Sequence, residues 1–150
     1  MMRSKRMETI GLACLYGLTA MDDLKTKQVR VIEIIVFGIL GIAINIIYRP
    51  HSLLSVLGGV GIGLLTILFS YISKEKIGMG DAYIITVTGL YLGFIDTAVL
   101  LWLSSLIAAV TGLVLIRKYD NPKMEIPFVP FLLIAYIIMY LIHVLGGIVL

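Results

Sequence analysis

Charge is what this chain has little of: 14% of its 150 residues are Asp, Glu, Lys or Arg, against 60% apolar, and the mean hydropathy is +1.07. A soluble domain normally carries about a quarter charged residues, so a water-soluble fold is set aside. Cysteine is reduced to Cys14, which excludes an internal disulfide and a thiolate metal site. Inside an apolar stretch, Cys14 reads as a packed, inert thiol. With two histidines, the chain offers no Ser-His-Asp arrangement and no cluster at metal-ligand spacing, so neither a metal nor a cofactor is expected. The net charge of +3 is spread over the ends of apolar runs without interleaved aromatics, which argues against nucleic acid and for lipid headgroups. No internal repeat or low-complexity linker divides residues 1–150, so one membrane-embedded domain is expected. No small-residue cleavage site leads from the basic start at Met1–Arg6 into a soluble chain, so a secretory signal is also set aside.

What the chain does have is long apolar runs separated by short charged clusters. Windows of about 20 apolar residues, shorter where a bundle allows, give candidate spans near residues 8–21, 31–48, 53–72, 81–94, 97–116 and 127–150. The second is closed by Arg49-Pro50, where proline cannot continue a helix. The fold class expected is all-α, a polytopic membrane protein of about six transmembrane helices. Alternation of loops puts Lys25, Lys27, Arg30, Lys74, Lys76, Arg117, Lys118 and Lys123 on one side, and Arg3, Lys5, Arg6 and Arg49 on the other. Eight against four marks the first side as cytoplasmic. Gly58, Gly59, Gly61 and Gly63 read as a surface for close helix approach. They lack the strand and the acidic ribose partner of a dinucleotide site.

A carboxylate at a bilayer span costs several kcal/mol, so Asp22, Asp23, Glu33, Asp81 and Asp96 each need a reason. Asp81 follows Gly78-Met79-Gly80, whose glycines permit close backbone approach. Ordinary helix capping explains that segment equally well. Asp22-Asp23 closes the first span on the same expected side, so two aspartates can meet. Sharing a proton, one takes a proton from water while the other protonates a scissile amide. The bland alternative is that the doublet balances Lys25 and Lys27. Glu33 reads as an interfacial residue near Lys27 or Arg30, and Asn45 as a hydrogen bond to a neighbouring helix. His143 reads as a satisfied packing residue, and Asp96 as a helix cap.

The segment Asp23-Leu24-Lys25-Thr26-Lys27-Gln28-Val29 resembles the first-aspartate motif of the type IV prepilin peptidases. Gly78-Met79-Gly80-Asp81, followed by Gly89 and Gly93, resembles their GxGD motif. Ile126-Pro127-Phe128-Val129-Pro130-Phe131 resembles their Ile-Pro-Phe-Gly-Pro-Phe landmark at the start of the last helix. Order and spacing agree across nearly the whole chain. The resemblance implies a membrane aspartyl protease with Asp23, not Asp22, and Asp81 as catalytic pair. Gly78, Gly80 and Pro130 would border the substrate, a prepilin-like protein with a basic leader and a hydrophobic helix. Departures fall at Arg30 and Val31, where proline and asparagine are expected, at Tyr83 in place of a lysine, and at Val129 in place of a glycine. They bear on substrate preference and loop geometry more than on the aspartates. Larger members carry a methyltransferase portion and a cysteine-bearing loop, so the likeness is to the short, peptidase-only branch, in a prokaryotic cytoplasmic membrane. A small transporter or scaffold subunit that binds a cation or proton through the aspartates is the rival reading. A presenilin-type GxGD protease fits less well, because its span count and Tyr-Asp context are missing.

Overall fold

The computed structural model describes residues 2–26, 30–72, 78–119 and 127–146. Lys27, Gln28, Val29, Lys74, Lys76, Lys123 and Ile126, all used in the sequence reading, lie outside them, as does the end of the last expected span. Five helices make up the described chain: α1 (Met2–Thr26), α2 (Val31–Tyr48), α3 (Leu53–Ile72), α4 (Met79–Tyr119) and α5 (Val129–Gly146).

Among the described residues the elements number five rather than about six, because α4 joins two helical arms across a kink. Residues 81–94 and 97–116 belong to one 41-residue element, interrupted at Gly93, which adopts φ 73 and ψ −167. Only glycine reaches that conformation at little cost. Unbroken, α4 would be about 60 Å long, roughly twice a bilayer's hydrocarbon core. It would also carry Tyr119 farther from the start of α4 than the ten steps to Val129 can return, since extended chain covers at most about 36 Å over ten residues. The break at Gly93 folds the second arm back toward the end from which the first arm started.

Breaking a helix orphans backbone groups that lipid cannot satisfy, and neighbouring elements supply partners. The carbonyl of Leu90 accepts from Asn45 Nδ2 at 2.6 Å, as expected of Asn45. The carbonyl of Tyr91 bonds to His51 Nε2 at 2.9 Å. The Phe94 N–H donates to Ser55 Oγ at 3.2 Å.

Helix α3 packs most extensively of all on α4, and its glycines permit the approach. A Cβ on Gly59 would stand 2.6 Å from the Gly89 carbonyl oxygen and 2.8 Å from the Gly93 backbone. One on Gly63 would collide with the backbone of Thr86, and one on Gly58 would press on the Phe94 ring at 3.0 Å. Gly61 faces open space, so three of the four glycines serve the contact.

The core forms where α1, α4 and α5 meet. Leu12, Leu15, Tyr16 and Ala20 of α1, spaced along one helical face, bury against Ile84, Ile85 and Tyr91 of α4 and Val129, Leu132, Ala135 and Tyr136 of α5. The Tyr16 hydroxyl lies 2.6 Å from Thr88 Oγ1, and its ring meets Tyr136 edge-on at 5.5 Å. Tyr91 donates to the Phe37 carbonyl at 2.7 Å. Outside this core the surface is apolar: Ile32, Ile46, Leu54, Leu57, Ile95 and Trp102 are among the large side chains left exposed. Helices α2, α3 and α4 are long and apolar enough to cross a membrane. Cys14 lies on the exposed side of α1, not packed within the protein as expected.

Candidate active site

The first expected span ran from residue 8 to 21, but α1 continues to Thr26. Asp22 and Asp23 therefore belong to a continuing helix, and successive side chains point about 100° apart. That difference separates their surroundings. Asp23 turns inward and is buried, and its Oδ2 accepts a hydrogen bond from the backbone N–H of Val129 at 3.2 Å. Asp22 turns toward the start of α2, where its Oδ2 pairs with Arg30 Nε at 2.9 Å.

The donor to Asp23 is available for a local reason. Val129 is the first residue of α5, and the first bonds of that helix run from the Phe131 and Leu132 N–H groups to the Phe128 carbonyl. The Val129 N–H has no intrahelical acceptor, so it is free to hold a carboxylate. Sequence reasoning marked this segment as a landmark without assigning it a contact. The signal was Val129 at a helix start, just before Pro130.

Asp81 occupies the first turn of α4 and is partly buried. It lies close enough to Asp23 for the charge on one to act on the other. The structure thus brings together two carboxylates 58 positions apart in sequence, at one end of the bundle. Gly78 sits beneath Asp81: a Cβ there would stand 3.1 Å from Asp81 Oδ2. Its carbonyl accepts from the Ala82 N–H at 3.3 Å, starting α4. Gly80 follows in the first turn of that helix, and Pro130 stands in the first turn of α5, both half-buried. Among the described residues no cation pairs with Asp23 or Asp81.

Glu33 stands near Arg30, as expected, and near Asp22, and its Oε2 is buried with no hydrogen-bond partner among the described residues. No group of three His, Cys, Asp or Glu side chains among the described residues is arranged to hold a metal ion.

A second polar cluster, which the sequence did not bring together, lies at the other end of the bundle. Glu8 is buried, and its Oε2 stands 3.7 Å from His51 Nε2. Asp96 and His143 line the same cavity. His143 is exposed, not packed as expected, and Asp96 faces this cavity in the first turn of the second α4 arm. The signal available beforehand was topological, because Glu8, His51 and Asp96 fall at the non-cytoplasmic ends of the expected spans, while His143 lies within the last one.

No curated protein and no solved structure matches this chain. The family model described as the type IV leader peptidase family matches residues 10–113. That stretch covers more than half of the chain and includes Asp23, Gly78, Gly80 and Asp81, while the Pro127–Pro130 landmark lies beyond it. With α2, α3 and α4 able to cross a membrane, the chain is an integral membrane protein, and it belongs to the type IV leader peptidase family.

Proposed function

We propose that this protein is an aspartyl endopeptidase that removes the leader of prepilin-like or pseudopilin-like proteins at the cytoplasmic face of a prokaryotic membrane. The observation that carries this reading is the approach of Asp23 and Asp81, two carboxylates from different helices with no cation paired to either among the described residues. Like charges at short range in a partly dry site do not both ionise readily, so one proton is shared. The ionised member takes a proton from water, whose oxygen attacks the scissile carbonyl carbon. The protonated member then delivers its proton to the departing amide nitrogen as the C–N bond breaks, and the pair is returned to its one-proton state. The Val129 N–H holds one Asp23 oxygen, leaving the other for the water.

Gly78 and Gly80 leave room for an extended substrate backbone at the mouth of α4, with Pro130 bordering it from α5. By the order of the sequence, Lys25, Lys27, Arg30, Lys74, Lys76, Arg117, Lys118 and Lys123 fall on the dyad side and Arg3, Lys5, Arg6 and Arg49 on the other, which supports a dyad oriented toward the cytoplasm. A basic leader there stays in water while the hydrophobic helix that follows docks from lipid.

The test is co-expression with a full-length prepilin and measurement of leader removal. Asp23→Asn and Asp81→Asn each lower it by about 10³-fold or more, with unchanged elution of the purified variants in detergent. Processing retained in both variants, or ion flux in proteoliposomes without a cleavage product from any prepilin, overturns the proposal.

A further inference from the structure

Deeper in the bundle than the dyad, a second pair of side chains from the same two helices is in contact. Tyr16 lies seven residues before Asp23 on α1, and Thr88 lies seven residues after Asp81 on α4. Seven residues make nearly two helical turns, so each lies on almost the same face as its aspartate, about 10 Å further along the axis. The Tyr16 hydroxyl meets Thr88 Oγ1 at 2.6 Å, and both side chains are fully buried. The contact between Tyr16 and Thr88 thus repeats, two turns down, the approach of Asp23 to Asp81.

The direction of this bond follows from its neighbours. The Thr88 hydroxyl donates its one proton to the Ile84 carbonyl at 2.8 Å, so its oxygen is the acceptor and Tyr16 the donor. Thr88 Oγ1 is held to its own helix, and the Tyr16 ring is held from the side by Tyr136 of α5. Leu12 and Leu15 of α1 and Ile84 and Ile85 of α4, which share this core, are apolar. Apolar surfaces attract without direction, so they permit a small slide along the axis that an O···O contact of fixed length resists. The aspartates do not supply the alignment themselves, because like charges repel. The Val129 N–H ties Asp23 to α5 and not to α4.

We propose that Tyr16 is a positioning residue: its hydrogen bond to Thr88 sets the register of α1 against α4 that brings Asp23 to Asp81. Its effect on cleavage rests on the peptidase reading above. A misplacement of about 1 Å in a reacting group costs up to about a hundredfold in rate. Cross-helix hydrogen bonds inside a membrane bundle add only modestly to stability, so the loss of this one falls on the dyad more than on melting. Tyr16→Phe removes the bond alone, since the ring stays against Tyr136 and Thr88 keeps its Ile84 acceptor.

The test uses the full chain purified in detergent and two readouts. One is kcat and KM for leader removal from a full-length prepilin. The other needs no cleavage: infrared titration of the carboxyl bands that vanish in Asp23→Asn and Asp81→Asn, whose two steps lie farther apart the more strongly the carboxylates interact. Among the described contacts the pair faces each other and the Val129 N–H, so a change in the separation of the steps reports a change in their approach. Tyr16→Phe should lower kcat about tenfold or more with KM within about twofold, draw the two steps together by about one pH unit, and shift melting by a few degrees at most. Thr88→Ser keeps the hydroxyl and should match the parent in both readouts. Thr19→Val removes a buried hydroxyl nearer to Asp23 that bonds within α1, to the Leu15 carbonyl at 2.6 Å, and should also match the parent. Thr88→Ala cuts the same bond from α4, which keeps the test valid if Tyr16→Phe fails to fold. Titration steps as far apart in Tyr16→Phe or Thr88→Ala as in the parent, or drawn together equally by Thr19→Val, overturn the proposal. Steps drawn together in a protein whose parent form cleaves no prepilin support the register role and overturn the peptidase reading instead.

Discussion

The two ends of the bundle contain similar side chains in opposite arrangements. At the far end a buried carboxylate, Glu8, is met by His51, and the cavity around it holds charges of both signs. At the near end Asp23 and Asp81 come close enough for one charge to act on the other, with a backbone N–H as the only hydrogen-bond donor to Asp23 among the described contacts. A carboxylate matched by a cation is held in one protonation state, whereas a pair of carboxylates left to each other exchanges a proton. The neighbours, more than the residue type, separate a site suited to holding a charge from one suited to moving a proton.

The strongest way to break that comparison is to remove both members of the near-end pair. If Asp23 and Asp81 act as one unit, the double variant Asp23→Asn/Asp81→Asn is no slower in leader removal than either single variant, each down about 10³-fold or more. Multiplied losses in the double variant would mean that the carboxylates act independently.

The next effect tests whether the helix that carries Asp81 is held where the pair needs it. A side chain at Gly89 would collide with the Gly59 backbone, and neither main chain can move aside without separating α3 from α4. Gly89→Leu should cost at least about 3 kcal/mol, seen as a large fall in melting temperature in detergent together with loss of cleavage. Gly61→Leu, where nothing stands within 4 Å, should melt as the parent does.

A finer cut leaves both carboxylates in place and removes only the donor. Val129→Pro deletes the N–H that holds Asp23. It falls at the first position of α5, where proline is tolerated because that N–H makes no helical bond. Loss of one hydrogen bond to a charged group corresponds to about 1.5–3 kcal/mol, so kcat for leader cleavage should fall by roughly tenfold or more with KM little changed and melting nearly preserved. A change confined to KM would assign Val129 to substrate contact instead.

The near end was legible in the sequence through the fixed order of Asp23, Asp81 and the proline segment, since each carboxylate taken alone had capping or charge balance as an equally good account. The glycine contact of α3 was legible because small residues at Gly59 and Gly63 have little use on a lipid-facing surface. The break at Gly93 was visible only as a gap between two expected spans. Which groups would satisfy the orphaned Leu90 and Tyr91 carbonyls was not, since Asn45 and His51 lie more than 35 positions away and a hydrogen bond across helices leaves no periodic trace. The meeting of Glu8 with His51 was hidden likewise. The span boundary placed at residue 21 fell short of the helix, which continues through Asp22 and Asp23 to Thr26.

The far end is tested by pH. The Glu8 carboxylate, 3.7 Å from His51 Nε2, holds the imidazole protonated above its ordinary range near 6.5, burial opposes it, and the Tyr91 carbonyl and Asp96 reinforce it. Arg6, Tyr136 and His143 also line the cavity. A histidine whose folded value is raised contributes stability that is fully present below about pH 6.5 and is lost as pH rises through the higher folded value. The melting temperature should therefore fall by a few degrees across that window. His51→Gln keeps a donor for the Tyr91 carbonyl but cannot charge, so it should flatten the fall. An equal slope in parent and variant would remove the His51–Glu8 pairing from the comparison.

The smallest expected effect is the one that most sharply separates neighbouring residues. Asp22 is paired with Arg30 at 2.9 Å, so on the argument from neighbours it belongs with the held charges despite standing next to Asp23. Arg30 is largely exposed, and an ion pair of that kind contributes about 0–1 kcal/mol. Asp22→Asn should keep leader cleavage within about twofold of the parent and change melting by at most a degree or two. A loss of cleavage approaching that of Asp23→Asn, with melting unchanged, would mean that proton movement at the near end extends through Asp22 to Glu33, and that the unit there is larger than two carboxylates.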